Sequence, residues 1–359
     1  MTEKDCKIAI YGAGAMGTVL GVLLTKGGLQ KVDLITRNAE HVSAMRKQGA
    51  TVVCEADGQE INAKVNALLP SEMQEKYDVV FLMTKQRNNS EILQTLLPYL
   101  SDGGIVCTMQ NGLTEESVAE VVGCERTYGA ATSYGATFLE AGRVALTSKM
   151  EAMRIEIGGY KNGGEKNGLL QKILSYIEQA TASTNCVKTT DNLAGARWSK
   201  LAINAAFSGL SVVTGMTFGD VAKKRKTRKI ALTLLRECIA VAKASGIKLA
   251  PMQGRDMEKL LGGENLFQKL TAYLVLPFAM KKHKKLISGM LKDIENGRKC
   301  EIDYINGVVV REGKKVGVAT PYCEQIVSIT HGIENGLYEI DYKNADFFLG
   351  GNDFVNETF

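Results

Sequence analysis

Lys7-Ile-Ala-Ile-Tyr11 runs directly into Gly12-Ala13-Gly14-Ala15-Met16-Gly17 and on into Thr18-Val-Leu-Gly-Val-Leu-Leu-Thr25. The short β-branched run reads as a buried strand, and the longer apolar stretch after the glycines reads as a helix. A strand, then glycines spaced G-x-G-x-x-G, then a helix is the arrangement that binds a dinucleotide. Gly12 permits the tight turn, Gly14 lets the backbone approach a pyrophosphate, Gly17 allows close helix packing, and the helix N-terminus faces the phosphates. Gly12, Ala13, Gly14, Ala15, Met16 and Gly17 are therefore candidate cofactor contacts. A glycine-rich turn without a ligand is the plainer alternative, and the correct placement between strand and helix counts against it.

Outward from this turn, Val32–Ile35, Val79–Leu82 and Ile105–Met109 are further short apolar runs, and helical stretches alternate with them. That rhythm is βαβ with a parallel sheet, a doubly wound α/β domain of Rossmann type. Thr51–Cys54 and Glu60–Asn62 flank Asp57-Gly58 and predict a small antiparallel hairpin. More strands are expected over Tyr128–Tyr134, Arg143–Thr147 and Arg154–Ile157, with a helix over Leu169–Ala180. From Asn192 the periodicity turns helical, which gives an all-α C-terminal domain. The boundaries read as a dinucleotide-binding domain over 1–188, a helical substrate domain over 189–343 and a tail over 344–359.

Strand ends carry the next candidates, because an open α/β sheet binds ligands beyond the carboxyl ends of its strands. A carboxylate at the end of the second strand accepts hydrogen bonds from a free ribose 2′-hydroxyl. Here that strand ends Leu34-Ile-Thr-Arg37-Asn38, and the Arg37 guanidinium suits a 2′-phosphate, so the reading is NADPH. Lys85 follows the strand ending at Met83 and Asn111 follows the strand ending at Met109. In the helical half, Lys200, Asn204 and Ser208 stand at i, i+4 and i+8, on one face of an otherwise apolar or small helix. A lysine snorkelling to solvent is the competing account of Lys200. Glu301 opens a later helix, where capping alone could explain a carboxylate.

Composition bounds the rest. At 359 residues, with 45% hydrophobic and 23% charged side chains, the chain suits two ordinary globular domains. No apolar run reaches the length of a membrane span, and the charged start carries no signal segment, so the cytoplasm is the expected address. Eight cysteines are scattered without a Cys-x-x-Cys pair, and the three histidines, His41, His283 and His331, lie far apart. No metal is expected, and neither is a Ser-His-Asp triad. The net charge of +5 divides into −2 for residues 1–188 and +7 for 189–359. The basic runs Lys223–Lys229 and Lys281–Lys285 lack interleaved aromatics and read as solvated helix faces, so neither nucleic acid nor membrane is expected as a partner.

Three stretches together carry a resemblance that spans the chain from Lys7 to about Ile333. They are Arg197-Trp-Ser-Lys200-Leu-Ala-Ile-Asn204, Asp293-Ile-Glu-Asn-Gly-Arg-Lys-Cys-Glu301-Ile-Asp-Tyr-Ile-Asn306-Gly307, and Gly317-Val-Ala-Thr-Pro321. With the dinucleotide turn they resemble the 2-dehydropantoate 2-reductase (ketopantoate reductase) family. The resemblance implies an oxidoreductase that uses NADPH to reduce 2-dehydropantoate to (R)-pantoate in pantothenate, and hence coenzyme A, biosynthesis. It implies catalytic roles for Lys200 and Glu301, substrate contacts from Asn111, Asn204, Ser208 and Ser288, and cofactor contacts from Lys85 and Asn111. The sequence departs from the family pattern at Ser208, where a second Asn is usual, and at Gly289, where Ser is usual and Ser288 stands one residue earlier. Both departures fall in the substrate pocket. A related NADP-dependent 2-hydroxy acid dehydrogenase with another keto acid is the alternative, as is a non-catalytic NADPH-sensing protein, which would need neither Lys200 nor Glu301. The small 2-oxo acid is the expected partner, and a homodimer is compatible with this reading.

Overall fold

The computed structural model describes residues 2–348 apart from 162, 182, 183, 253, 255 and 264. Contacts divide the chain into two units, Met1–Gln110 with Thr114–Leu193, and Asn111–Leu113 with Ala194–Phe359. The first unit runs β1 (Ile8–Tyr11), α1 (Ala15–Lys26), β2 (Val32–Ile35), α2 (Ala39–Gln48), β3 (Ala50–Cys54), β4 (Glu60–Ala63), β5 (Asn66–Leu68) and β6 (Tyr77–Leu82). It continues through α3 (Asn89–Leu96), β7 (Leu100–Thr108), α4 (Glu115–Val122), β8 (Thr127–Thr132), β9 (Ala136–Glu140), β10 (Arg143–Leu146), β11 (Ile155–Gly159), α5 (Asn167–Thr181) and β12 (Val187–Thr189).

The main sheet has the order β12-β11-β8-β7-β6-β1-β2-β5. From β8 to β5 every pairing is parallel. The chain winds outward from β1 through β2 to β5, then returns to build β6, β7 and β8 on the other side, so the order reverses between β1 and β6. That is the Rossmann order, and the reversal marks the place where such sheets bind a ligand. Every residue of β1 and β2 is buried, as a parallel sheet covered on both faces requires. Strand alternation divides β1 between two layers: Ile8 and Ile10 pack with Leu20, Leu23 and Leu24 of α1, while Ala9 and Tyr11 pack with Leu93 and Val118 of α3 and α4.

The expected hairpin is present, with β3 antiparallel to β4 and Gly58 at φ +73° in its turn. It belongs to a second sheet of order β4-β3-β10-β9. The strand expected over Tyr128–Tyr134 stops at Thr132, and the chain re-forms as β9 to pair with β10. The break is fixed by the Ser133 amide, which donates to the Arg154 carbonyl, and the Thr147 amide, which donates to the Gly135 carbonyl. The first unit also extends beyond 188, because β12 pairs with β11 and Leu193 packs against Gly158.

The second unit is helical: α6 (Leu193–Ile203), a π-helical turn (Asn204–Ser208), α7 (Gly209–Thr214), α8 (Phe218–Lys223), α9 (Arg225–Ala244), α10 (Met257–Leu261), α11 (Leu266–Ala279), α12 (Gly289–Glu295), α13 (Ile302–Val316) and α14 (Pro321–Glu334). Trp198, Phe207, Leu235, Val309 and Ile326 lie in its core. The first part of the expected tail is anchored here. Asn344 Nδ2 donates to the carbonyls of Val213 at 2.9 Å and Glu339 at 2.8 Å, and the Phe348 ring packs on Tyr322. Residues 349–359 lie outside the described residues. None of the described helices is long and apolar enough to cross a membrane. Among the described residues no cluster of His, Cys, Asp and Glu could hold a metal ion, and the eight cysteines are free thiols.

Candidate active site

The dinucleotide turn is shaped by close backbone approach. Gly12 has φ +106°, and a Cβ there would stand 2.5 Å from the Thr84 amide nitrogen. The turn after β1 thus touches the turn after β6, at the reversal of strand order. A Cβ on Gly17 would stand 2.5 Å from the Gly12 carbonyl oxygen, so only glycine lets α1 pack this tightly. Gly14 is the converse case: it is exposed, and a Cβ on it would meet nothing within 4 Å. The amides of Gly12 and Ala13 both donate to the Ile35 carbonyl at 2.9 Å. Ala15, Met16 and Gly17 form the first turn of α1, where no helical carbonyl precedes their amides. Open space above Gly14 beside outward-facing amides fits a pyrophosphate.

Beneath the turn lies a buried support. Thr18 Oγ1 is 2.9 Å from His41 Nε2, and His41 Nδ1 accepts from the Gly142 amide at 2.8 Å. The imidazole is therefore neutral, with its proton on Nε2 donated to Thr18, whose hydroxyl lies 3.4 Å from the Ala13 carbonyl. Burial holds the His41 pKa below the ordinary histidine value. Arg37 is exposed two residues beyond β2, and among the described residues no carboxylate pairs with it. Burial pushes the phenol of Tyr11, at the end of β1, up, with the Arg37 charge acting in the opposite direction.

At the carboxyl ends of β6 and β7 a buried amide pair joins two rim loops. Asn89 Nδ2 donates to Gln110 Oε1 at 3.1 Å, and Gln110 Nε2 donates back to Asn89 Oδ1 at 2.7 Å and to the Thr84 carbonyl at 2.9 Å. Thr108 Oγ1 donates to Gln110 Oε1 at 3.0 Å and is 2.7 Å from Thr114 Oγ1. This network fixes the turn that Gly12 touches. Lys85 and Asn111 are exposed at its two edges, and Asn111 falls within the helical unit, where Leu113 packs on that core.

In the helical unit, the face read as one regular helix is interrupted. The Gly209 amide donates to the Asn204 carbonyl five residues back, which makes Asn204–Ser208 a π-turn. From Gly195 to Thr214 every side chain is buried except Lys200, Ile203, Asn204 and Ser208. In an unbroken α-helix, at 3.6 residues per turn, residues eight apart are rotated by about 80°. The wider π-turn advances less per residue and swings Ser208 back towards Lys200. Ser199 Oγ, next to Lys200, is buried and donates to the Ala250 carbonyl at 2.7 Å, which pins this helix in place.

Asn306, fully buried on α13, donates from Nδ2 to the Ala205 carbonyl at 3.0 Å inside the π-turn. Its Oδ1 faces Gly209, where a Cβ would stand 2.8 Å away. Glu301 is the N-cap residue of α13, half-buried, and its side chain makes no capping hydrogen bond. Ser288 is 2% exposed and caps α12, accepting from the Met290 amide at 3.1 Å, while its own amide donates to Ser211 Oγ. That serine already has a local structural task. Gly289 has open space around its Cβ direction.

Sequence reasoning did not single out His41 with Thr18, the Asn89–Gln110 pair or the buttress from Asn306. Asn306 carried a signal, being a lone amide in the apolar run from Ile305 to Val310.

Two family profiles match the chain: "Ketopantoate reductase PanE/ApbA" over residues 8–161 and "Ketopantoate reductase PanE/ApbA C terminal" over 192–334. The 2-dehydropantoate 2-reductase of Lactococcus lactis subsp. lactis is 28% identical over 336 residues, 92% of this chain and 99% of that protein. Among solved structures, D-mandelate dehydrogenase with NADH and anilino(oxo)acetate is similar at 28% identity and TM-score 0.76, covering 92% of this chain and 99% of that one. The 2-dehydropantoate 2-reductase from Geobacter metallireducens GS-15 is similar at 26% identity and TM-score 0.74, covering 90% and 98%.

Proposed function

Since the chain belongs to the ketopantoate reductase PanE/ApbA family, we propose that it is an NADPH-dependent reductase of a 2-oxo acid, with 2-dehydropantoate as substrate and (R)-pantoate as product. The observation that carries this reading is the stripe of Lys200, Asn204 and Ser208, left accessible together with Ile203 on helices otherwise buried from Gly195 to Thr214. A polar face of this kind serves a ligand better than it serves folding.

The first unit suits the cofactor. Gly14 and the first-turn amides of α1 would hold the pyrophosphate, and Arg37 the 2′-phosphate; Lys85 and Asn111 would meet the cofactor from the ends of β6 and β7. Bound NADPH supplies a hydride to the oxo carbon. As negative charge grows on the oxygen of the substrate, the Lys200 ammonium stabilises it and gives it a proton, acting as general acid. Asn204 and Ser208 orient the oxo acid along the same stripe, with Asn111 as a further contact. Glu301 accepts a hydrogen bond from the hydroxyl of the substrate. Ser288 is assigned to capping α12.

A second reading keeps the chemistry and changes the oxo acid. It is favoured by Ser208, shorter than asparagine, and by the likeness to D-mandelate dehydrogenase. Loss of NADPH absorbance on a panel that includes 2-dehydropantoate and phenyl-substituted 2-oxo acids separates the cases. The highest kcat/KM on 2-dehydropantoate supports the first reading, and a higher value on an aryl oxo acid replaces it by the second. Binding of NADPH without turnover of any 2-oxo acid refutes both.

A further inference from the structure

Two carboxylates and a histidine bracket Glu301 at the start of α13. On its N-terminal side the Cys300 amide donates to Glu334 Oε1 at 2.7 Å, so the last turn of α14 holds the residue that immediately precedes Glu301. On its C-terminal side Asp303 stands in the first turn of α13, where the Tyr304 amide donates to the Glu301 carbonyl at 3.0 Å. His331 joins the two sides: its Nδ1 lies 3.1 Å from Glu334 Oε2 and its Nε2 2.9 Å from Asp303 Oδ1. A neutral imidazole carries one proton and can donate to only one of two carboxylates, whereas the imidazolium donates to both. The ring also sits in the last turn of α14, where the helix carbonyls favour a cation. Partial burial pulls the His331 pKa down, but the hydrogen bonds and charges of Asp303 and Glu334 outweigh it and hold the value above that of an ordinary histidine.

We propose that His331 is a positioning residue for Glu301, clamping the backbone on both sides of it and so setting where its carboxylate meets the substrate. This role presupposes the reading of Glu301 as the acceptor for the substrate hydroxyl. The two halves of the clamp differ. The Glu334 side chain is 5% exposed and holds its bond away from water, whereas that of Asp303 is 53% exposed and is screened. Other charged groups stand around these two carboxylates. Arg311 Nη1, on α13, donates to the Asp303 carbonyl at 2.9 Å, and the Asp293–Arg298 ion pair at the end of α12 spans 3.3 Å, with the Asp293 charge felt at the Cys300 thiol. The Tyr338 ring lies over Gly332, beside His331. As pH rises through the raised histidine value, His331 keeps a single proton, one carboxylate loses its donor, and the joint that carries Glu301 loosens. A hydrogen bond from the substrate to Glu301 is made in the ground state and the transition state alike, so the clamp acts on KM rather than on kcat.

His331→Gln keeps one donor but cannot ionise. The full chain carrying it is compared with wild type from about pH 6 to about pH 9, on 2-dehydropantoate or, should the panel favour it, on a phenyl-substituted 2-oxo acid. At the acid end its KM should stand about threefold or more above wild type, a share of one charge-assisted hydrogen bond, and the two values should converge above the His331 midpoint. The kcat and the NADPH affinity should stay close to wild type throughout, and the ratio of the two enzymes cancels any titration of Lys200. Asp303→Asn, at an exposed site, should move the convergence downward by roughly half a pH unit or more. Titration of the His331 ring protons by NMR, identified by their loss in His331→Gln, should give the same midpoint, above about 6.5. A KM ratio of one at every pH, with KM raised in Glu301→Gln, overturns the clamp and leaves Glu301 its substrate role. A ratio raised equally at every pH, an equal loss of NADPH affinity, or a His331 midpoint at or below about 6.5 also overturns it. If Glu301→Gln keeps the KM of wild type, the substrate role of Glu301 falls, and the proposal with it.

Discussion

Asn306 reaches from α13 to the Ala205 carbonyl, 3.0 Å away and a hundred residues earlier in the chain, and so holds the π-turn that carries Asn204 and Ser208. A π-turn is a poor helix by itself, and its geometry persists where an outside partner meets its backbone. Removing the amide in Asn306→Ala leaves a buried carbonyl without that donor, at a cost of about 1–3 kcal/mol. Urea unfolding should show that loss. If the π-turn sets the substrate face, KM for the oxo acid should rise with NADPH affinity unchanged. An equal loss of NADPH affinity would place Asn306 in general stability rather than in support of this face.

Glu301 occupies an N-cap position without capping through its side chain. Glu301→Gln should therefore keep the unfolding midpoint and NADPH affinity close to wild type, while kcat/KM for the oxo acid falls about tenfold or more, the scale of one charge-assisted hydrogen bond. A lower midpoint with unchanged kinetics would return the residue to capping.

The glycine turn was legible in sequence because its constraints are local: a strand, three glycines at fixed spacing and a helix suffice to foresee the φ of Gly12 and the packing of Gly17. The parallel sheet followed from the same rhythm. Other features depend on partners distant in sequence. Asn66–Leu68 and Val187–Thr189 are three-residue strands without a readable alternation, and they exist because β2 and β11 offer free edges. Lys200, Asn204 and Ser208 could be grouped by spacing, but the π-turn that aligns them answers to Asn306. The amide exchange between Asn89 and Gln110 joins a helix start to a strand end and leaves no periodic trace.

Cofactor choice rests on Arg37. Its guanidinium is exposed two residues beyond β2, and no carboxylate occupies the end of that strand to favour a free 2′-hydroxyl. Arg37→Ala should weaken NADPH binding by tenfold or more, the order of one charge-assisted contact, and leave NADH nearly unchanged. Titration by nicotinamide fluorescence reads both, and equal losses would remove Arg37 from the phosphate site.

His41 couples the turn to pH. Unfolded, it titrates near 6.5, and burial depresses that value in the native protein. Between the two values the unfolded chain holds more protons, so the contribution is complete above about pH 6.5 and is lost as pH falls through the depressed native value. The slope approaches about 1.4 kcal/mol per pH unit over that window. His41→Gln should flatten the pH dependence of urea unfolding there, and an unaltered slope would show that other groups set it.

Single-turnover and steady-state oxidation of NADPH by 2-dehydropantoate, compared between wild type and Lys200→Ala, tests the assignment of the acid directly. General acid catalysis contributes about two to four orders of magnitude. Lys200→Ala should therefore lose turnover on that scale while binding NADPH with the affinity of wild type. Turnover within a few-fold of wild type would contradict the account at its centre, because the stripe of Lys200, Asn204 and Ser208 would then carry no chemistry.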